Sequence, residues 1–274
     1  MNKRAPIGIF DSGYGGLTVF EEVQNALPEY DYLYFGDNAR APYGNRSFDV
    51  VYEFTLEAVK FLFDQGCPLI VLACNTASAK ALRTIQQNDL PKLGQDKRVL
   101  GVIRPSTEEI GSLSKSRHVG VLGTSGTVQS QSYLIELKKF APDIHVSQHA
   151  CPMWVPLIEN EKHHHDAGVQ FIEEDVQALL KKDPLIDTII LACTHYPVIE
   201  EKIRQIAGKQ INVVSQGPIV ADKLEQYLRA HPEMDEKLSK NAQREFYSSE
   251  SSEVFDEKAA RFLGYPIQSK HHSF

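Results

Sequence analysis

Cysteine is scarce in this sequence, four residues in 274, and none of the four falls in a CxxC pair or within a spaced Cys/His quartet. That excludes a disulfide framework and gives no structural zinc pattern. Basic charge is not in excess either. Against 36 Asp and Glu stand 29 Lys and Arg, a formal net charge of −7, so a general nucleic-acid footprint is excluded. No apolar run is long enough to span a bilayer. The N-terminal MNKRAPIGIFD has too few apolar residues before Asp11 for a signal-peptide core, so the chain is expected in the cytoplasm, where its thiols stay reduced. DSGYGG, from Asp11 to Gly16, lacks both GxGxxG spacing and a Walker lysine, which counts against a nucleotide site. The run His163 to His165 is flanked by polar residues and reads as a solvated loop before a helix, not as a metal site.

What the chain does contain is a repeat. LIVLACNTAS, Leu69 to Ser78, returns as TIILACTHYP, Thr188 to Pro197. Each copy is an apolar run ending in Cys, the pattern of a fully buried parallel strand that delivers a thiol, Cys74 or Cys193, to its C-terminal edge. A second pair, IGIFDSG from Ile7 and VGVLGTSG from Val119, precedes these thiols by 67 and 74 residues. Internal duplication explains the near-equal spacing, and two related halves facing each other would aim both thiols into one cleft. A thiol between a strand end and a helix start is expected to have a lowered pKa, because helix N–H groups favour the thiolate. Cys67 and Cys151 lack such matched polar neighbours and read as core residues.

Strand and helix patterns alternate along the whole chain, which makes it α/β with mostly parallel, doubly wound sheets. Ser47 is expected to cap a helix that Gly66 stops, and Ser106 with Glu109 has capping-box spacing. QQNDLPKLGQDKR, residues 86–98, reads as a crossing between domains, after which a strand at Arg98 to Ile103 opens the second half. Arg244 to Ser248 reads as an edge strand.

On FDSGYGG (Phe10 to Gly16), GDNARAPYG (Gly36 to Gly44), LACNTASA (Leu72 to Ala79), VPLIE (Val155 to Glu159) and ACTHYP (Ala192 to Pro197), in that order, the chain resembles the cofactor-independent glutamate racemases. The resemblance implies two pseudo-symmetric α/β domains, residues 1–97 with 214–274 and residues 98–213, and a glutamate site in the cleft between them. It implies that Cys74 and Cys193 exchange protons with opposite faces of the α-carbon, Asp11 assisting Cys74 while His195 and Glu159 assist Cys193. Asp11, Ser12, Asn75, Thr76, Thr194 and His195 would surround the amino-acid head, and Tyr43 and Gly44 the distal carboxylate. Ser125, Thr127, Arg40 and Arg104 are weaker candidates. A homodimer, D-glutamate supply for peptidoglycan, and no cofactor are further expectations; no lysine lies in the repeated motifs to form a pyridoxal Schiff base. Aspartate racemisation and a two-lobed amino-acid binding protein are the alternatives, with a metal-dependent Cys/His hydrolase third.

Overall fold

The structure, a computed structural model, describes residues 4–274. Among the described residues ten strands form two parallel sheets. The first is built from β1 (Ile7–Asp11), β2 (Tyr32–Gly36), β3 (Leu69–Leu72), β4 (Arg98–Gly101), β9 (Arg244–Ser248) and β10 (Ser269–His271), in the order β10-β9-β2-β1-β3-β4. The second holds β5 (His118–Gly123), β6 (His145–Ala150), β7 (Thr188–Ala192) and β8 (Asn212–Val214), in the order β6-β5-β7-β8. The order β2-β1-β3-β4 of one is repeated by β6-β5-β7-β8 of the other, the structural form of the duplication.

The apolar runs are buried on both faces because each sheet is covered twice, and the period-2 alternation of a strand decides which side chain meets which layer. Ile7, Ile9, Leu69 and Val71 pack with Leu17, Phe20 and Val23 of helix Gly16–Ala26 and with Val220 and Leu224 of helix Gly217–Ala230. Their neighbours Phe10, Ile70 and Leu72 pack on the opposite face with Val51, Ala58 and Leu62 of helix Phe48–Asp64. In the second sheet Ile189 and Leu191 join Ile172, Val176 and Leu179 of helix Asp166–Lys182, whereas Ile190 and Ala192 join Ile110, Tyr133 and Leu137. Helix Phe48–Asp64 starts as expected, Ser47 Oγ accepting from the Val50 N–H at 3.3 Å, and is followed by Gly66 at φ +96°.

Arg98–Gly101 does not open the second half: it pairs with β3 through Leu69↔Arg98 to Leu72↔Gly101 and closes the first sheet. A boundary after Lys97 would cut that sheet; a division that keeps both sheets whole crosses after Gly101 and returns after Val214. The polar stretch read as an interdomain crossing is instead the end of an interrupted helical path from Asn75 to Leu93, with a wide π turn at Ile85–Asp89 just before Pro91, whose missing N–H would break a regular helix there. Ser106 caps nothing. Its helix begins at Ile103, and its hydroxyl donates to the Val102 carbonyl at 2.8 Å. β9 is not an edge, because β10 pairs outside it.

Candidate active site

In a doubly wound sheet, ligands sit at the carboxyl ends of the strands where the order reverses. In the first sheet that point lies between β1 and β3, with Asp11 and Ser12 at one strand end and Cys74 at the other. Cys74 precedes helix Asn75–Lys80, and its Sγ accepts from the Ala77 N–H at 3.4 Å and lies 3.3 Å from Ser12 Oγ. Asp11 is fully buried behind this edge, one carboxylate oxygen accepting from the Gly13 N–H at 2.9 Å and the other from Thr194 Oγ1 at 3.5 Å. Gly16 leaves it room: a Cβ there would fall 2.3 Å from that of Asp11.

The equivalent point of the second sheet lies between β5 and β7. There Cys193 Sγ stands 3.9 Å from His195 Nδ1, and His195 Nε2 is 2.8 Å from Glu159 Oε1, a carboxylate supplied by helix Trp154–Glu159. The two edges touch. Gly15 lies against His195, a Cβ there coming within 2.3 Å of Nδ1, and Thr18 Oγ1 donates to the Thr194 carbonyl at 2.9 Å. Across the mouth Thr76 Oγ1 and Thr124 Oγ1 lie 3.0 Å apart, and the Gly126 N–H donates to the Gly44 carbonyl at 2.7 Å.

Between the edges is a cavity of about 130 Å³, small beside the roughly 300–1,000 Å³ of drug-sized pockets and so suited to a small ligand. Ser12, Tyr43, Gly44, Cys74, Asn75, Thr76, Glu159, Cys193, Thr194 and His195 all line it, and both thiols are buried.

Electrostatics separate the two sides. Burial, reinforced by the Asp11 charge, pushes the Cys74 thiol up to about 12, against the hydrogen bonds from Ser12 and Ala77. The expected lowering of the Cys74 thiol by its helix start is not seen, because desolvation outweighs one or two N–H groups. Burial also raises Asp11, offset in part by His195 and the N–H groups of Gly16 and Gly13. For His195 burial acts downward, yet hydrogen bonds and charge at Cys193 and Glu159 overcome it and lift the imidazole to about 10. Desolvation would raise Glu159, but the His195 contact lowers it overall, so the pair is an imidazolium and a carboxylate.

The Asp/Glu/Hydantoin racemase family model matches residues 15–224, a span that includes both thiols. The chain belongs to that family. Among its relatives, a glutamate racemase of Ruegeria sp. is 42% identical over 238 residues, 83% of this chain and 87% of the relative. A crystal structure of a Bacillus anthracis glutamate racemase isoform superposes with a TM-score of 0.90 at 34% identity, covering 99% of this chain and 98% of that one. The Francisella tularensis glutamate racemase in complex with D-glutamate gives 0.86 at 31% identity, covering 100% and 98%. An aspartate racemase of Picrophilus torridus, at 19% identity and a TM-score of 0.55 over 81% of this chain and 94% of that one, shares the fold.

Within this racemase-family site some expected roles change. The Tyr43 hydroxyl is bonded to Asp37 and its ring packs against Phe10 and Phe54, so the residue offers the cavity its ring and backbone, not its hydroxyl. Asn75 lines the cavity with its amide already engaged: Oδ1 accepts from Tyr133 at 2.7 Å and Nδ2 donates to Gln216 Oε1 at 2.7 Å. Arg40 pairs with Asp37 and Glu57, and Arg104 pairs with Glu108 on the outer surface, and neither arginine lines the cavity. Ser125 lines the cavity, whereas Thr127 is buried behind it and donates its N–H to Thr124 Oγ1. Thr124, passed over in GTSG, is the residue that reaches Thr76; its place at the end of β5, opposite Ser12 in the repeat, was the available signal. Ala41, Pro42, Val155 and Pro156 were also missed, although GDNARAPYG and VPLIE contain them. Cys151, read as core, lies at the cavity wall with its thiol pushed up by burial.

Proposed function

We propose that this chain interconverts L- and D-glutamate with two thiols and no cofactor. The observation that carries the reading is the pair Cys74 and Cys193, at equivalent strand ends of the four-strand order that the two sheets share, both lining one small cavity. A Cys193 thiolate takes the α-proton of L-glutamate, the carbanion charge spreads into the α-carboxylate, and the Cys74 thiol delivers its proton to the opposite face. The product leaves with Cys193 protonated and Cys74 as thiolate; D-glutamate reverses the roles. The raised Cys74 thiol supports its resting state as the acid, and the substrate ammonium would favour the charged form on the return. His195, held cationic by Glu159, stabilises negative charge at Cys193.

Hydroxyls of Ser12, Thr76 and Thr194 and backbone N–H groups at the helix starts hold the amino-acid head, and the backbone at Tyr43 and Gly44 the distal carboxylate. Glutamate is favoured over aspartate by relatives 34–42% identical that carry the glutamate racemase name. Supply of D-glutamate for peptidoglycan in the cytoplasm, by a homodimer, completes the proposal. Among the described residues no helix is long and apolar enough to cross a membrane. The test is dialysed protein with L-glutamate in deuterated water: optical rotation should fall to zero as the α-position gains deuterium. Rotation that persists, or decays for aspartate alone, overturns the reading.

A further inference from the structure

At the amino ends of β5 and β6, away from the thiols, His118 and His145 are partners in parallel register and so project from the same face of the sheet. Helix Asp166–Lys182 crosses that face and ends at Asp183, whose carboxylate lies over both rings: Oδ2 is 2.8 Å from His118 Nδ1 and 3.8 Å from His145 Nε2. The three atoms lie within 4.8 Å of one another. We propose that His118, His145 and Asp183 form a binding site for one divalent transition-metal ion of the zinc class, separate from the racemase site.

Two borderline imidazoles and one harder carboxylate make a donor set that ions of this class accept, in the three-ligand arrangement that leaves a fourth position for water. Bonds of about 2.0–2.1 Å put neighbouring donors of a tetrahedron about 3.3 Å apart. The observed separations bracket that value. The two ligands that start β5 and β6 are fixed at the backbone by strand pairing, and Asp183 is fixed by the Leu185 N–H on its other oxygen, at 3.1 Å. The remaining adjustment falls to His145, whose side chain is 64% exposed and free to move toward the other two. His163 to His165, the other histidine-rich stretch, does not converge with a third ligand type in this way.

The six residues of β5 span about 20 Å at roughly 3.3 Å each, so the ion would sit at the far end of the strand from Thr124. It would tie β5, β6 and the end of the helix together without entering the cavity.

Equilibrium dialysis of the full chain against Zn²⁺ tests the site. One equivalent should bind, and His145→Ala, with His145→Gln as a second exposed substitution, should weaken binding at least tenfold while racemisation stays at the wild-type rate. Co²⁺ bound in place of Zn²⁺ should show four- or five-coordinate visible bands with no thiolate charge-transfer band. No stoichiometric binding, unchanged affinity in both variants, or a thiolate band placing the ion on Cys74 and Cys193 would each overturn the proposal.

Discussion

Cys74 sits where a strand hands over to a helix, yet burial beside Asp11 holds its thiol up to about 12. The junction was legible in LACNTAS; the degree of burial was not, because it depends on the second sheet closing over the first. Replacing either thiol with Ser should cut racemisation by about 10²–10⁴-fold, the usual weight of a positioned acid or base. A glutamate analogue with a leaving group at the β-carbon should still be eliminated, Cys74→Ser and Cys193→Ser preferring opposite enantiomers. The same preference in both would remove the opposed-face geometry. On the other side, His195 has a folded pKa near 10, above its ordinary value of about 6.5. The favourable contribution of the imidazolium is therefore complete below about pH 6.5 and disappears as pH rises through about 10. Glu159→Gln removes one of the groups that raise it, so the alkaline limb of kcat/KM for L-glutamate should move toward neutrality. An unmoved limb would mean that Glu159 does not control this proton.

Strands and helices were largely readable from apolar periodicity, since runs such as TIILA are buried whichever sheet receives them. Sheet membership was not. Arg98–Gly101 is a four-residue strand whose pairing with β3 is a long-range fact, and the polar residues before it resemble a linker although they surround a π turn. The amide network behind Asn75 is another such fact. Gln216, on the returning crossing, donates its two amide hydrogens to Ser106 and Tyr133, each at 2.7 Å, with its nitrogen also 3.2 Å from the Val102 carbonyl, and its oxygen accepts from Asn75. Both crossings and both sheets' helices thus meet at one buried side chain, and Asn75 is positioned for the ligand through it. Tyr133→Phe removes the donor to Asn75 Oδ1 and leaves that buried amide oxygen unpaired, at a cost of about 1–3 kcal/mol in urea unfolding. KM for glutamate should rise in the same variant. Unfolding and KM both at wild-type values would show that the network does not position Asn75.

For the whole molecule, duplication was the most readable property, because the repeated motifs fall at equivalent strand ends and the sheets share a strand order. What repetition could not reveal is that the first sheet is assembled from both ends of the chain, its β2 edge waiting for β9 and β10. During synthesis this imposes a schedule. The second sheet has all its strands once Val214 has left the ribosome, while β2 still presents unpaired N–H and C=O groups, an edge open to mispairing. The middle of the protein should fold before its beginning is finished. Chains arrested after residue 250 should show the segment 102–214 already resistant to protease and residues 4–101 still cleaved; simultaneous protection of both would mean that β1 to β4 stand without their late neighbours.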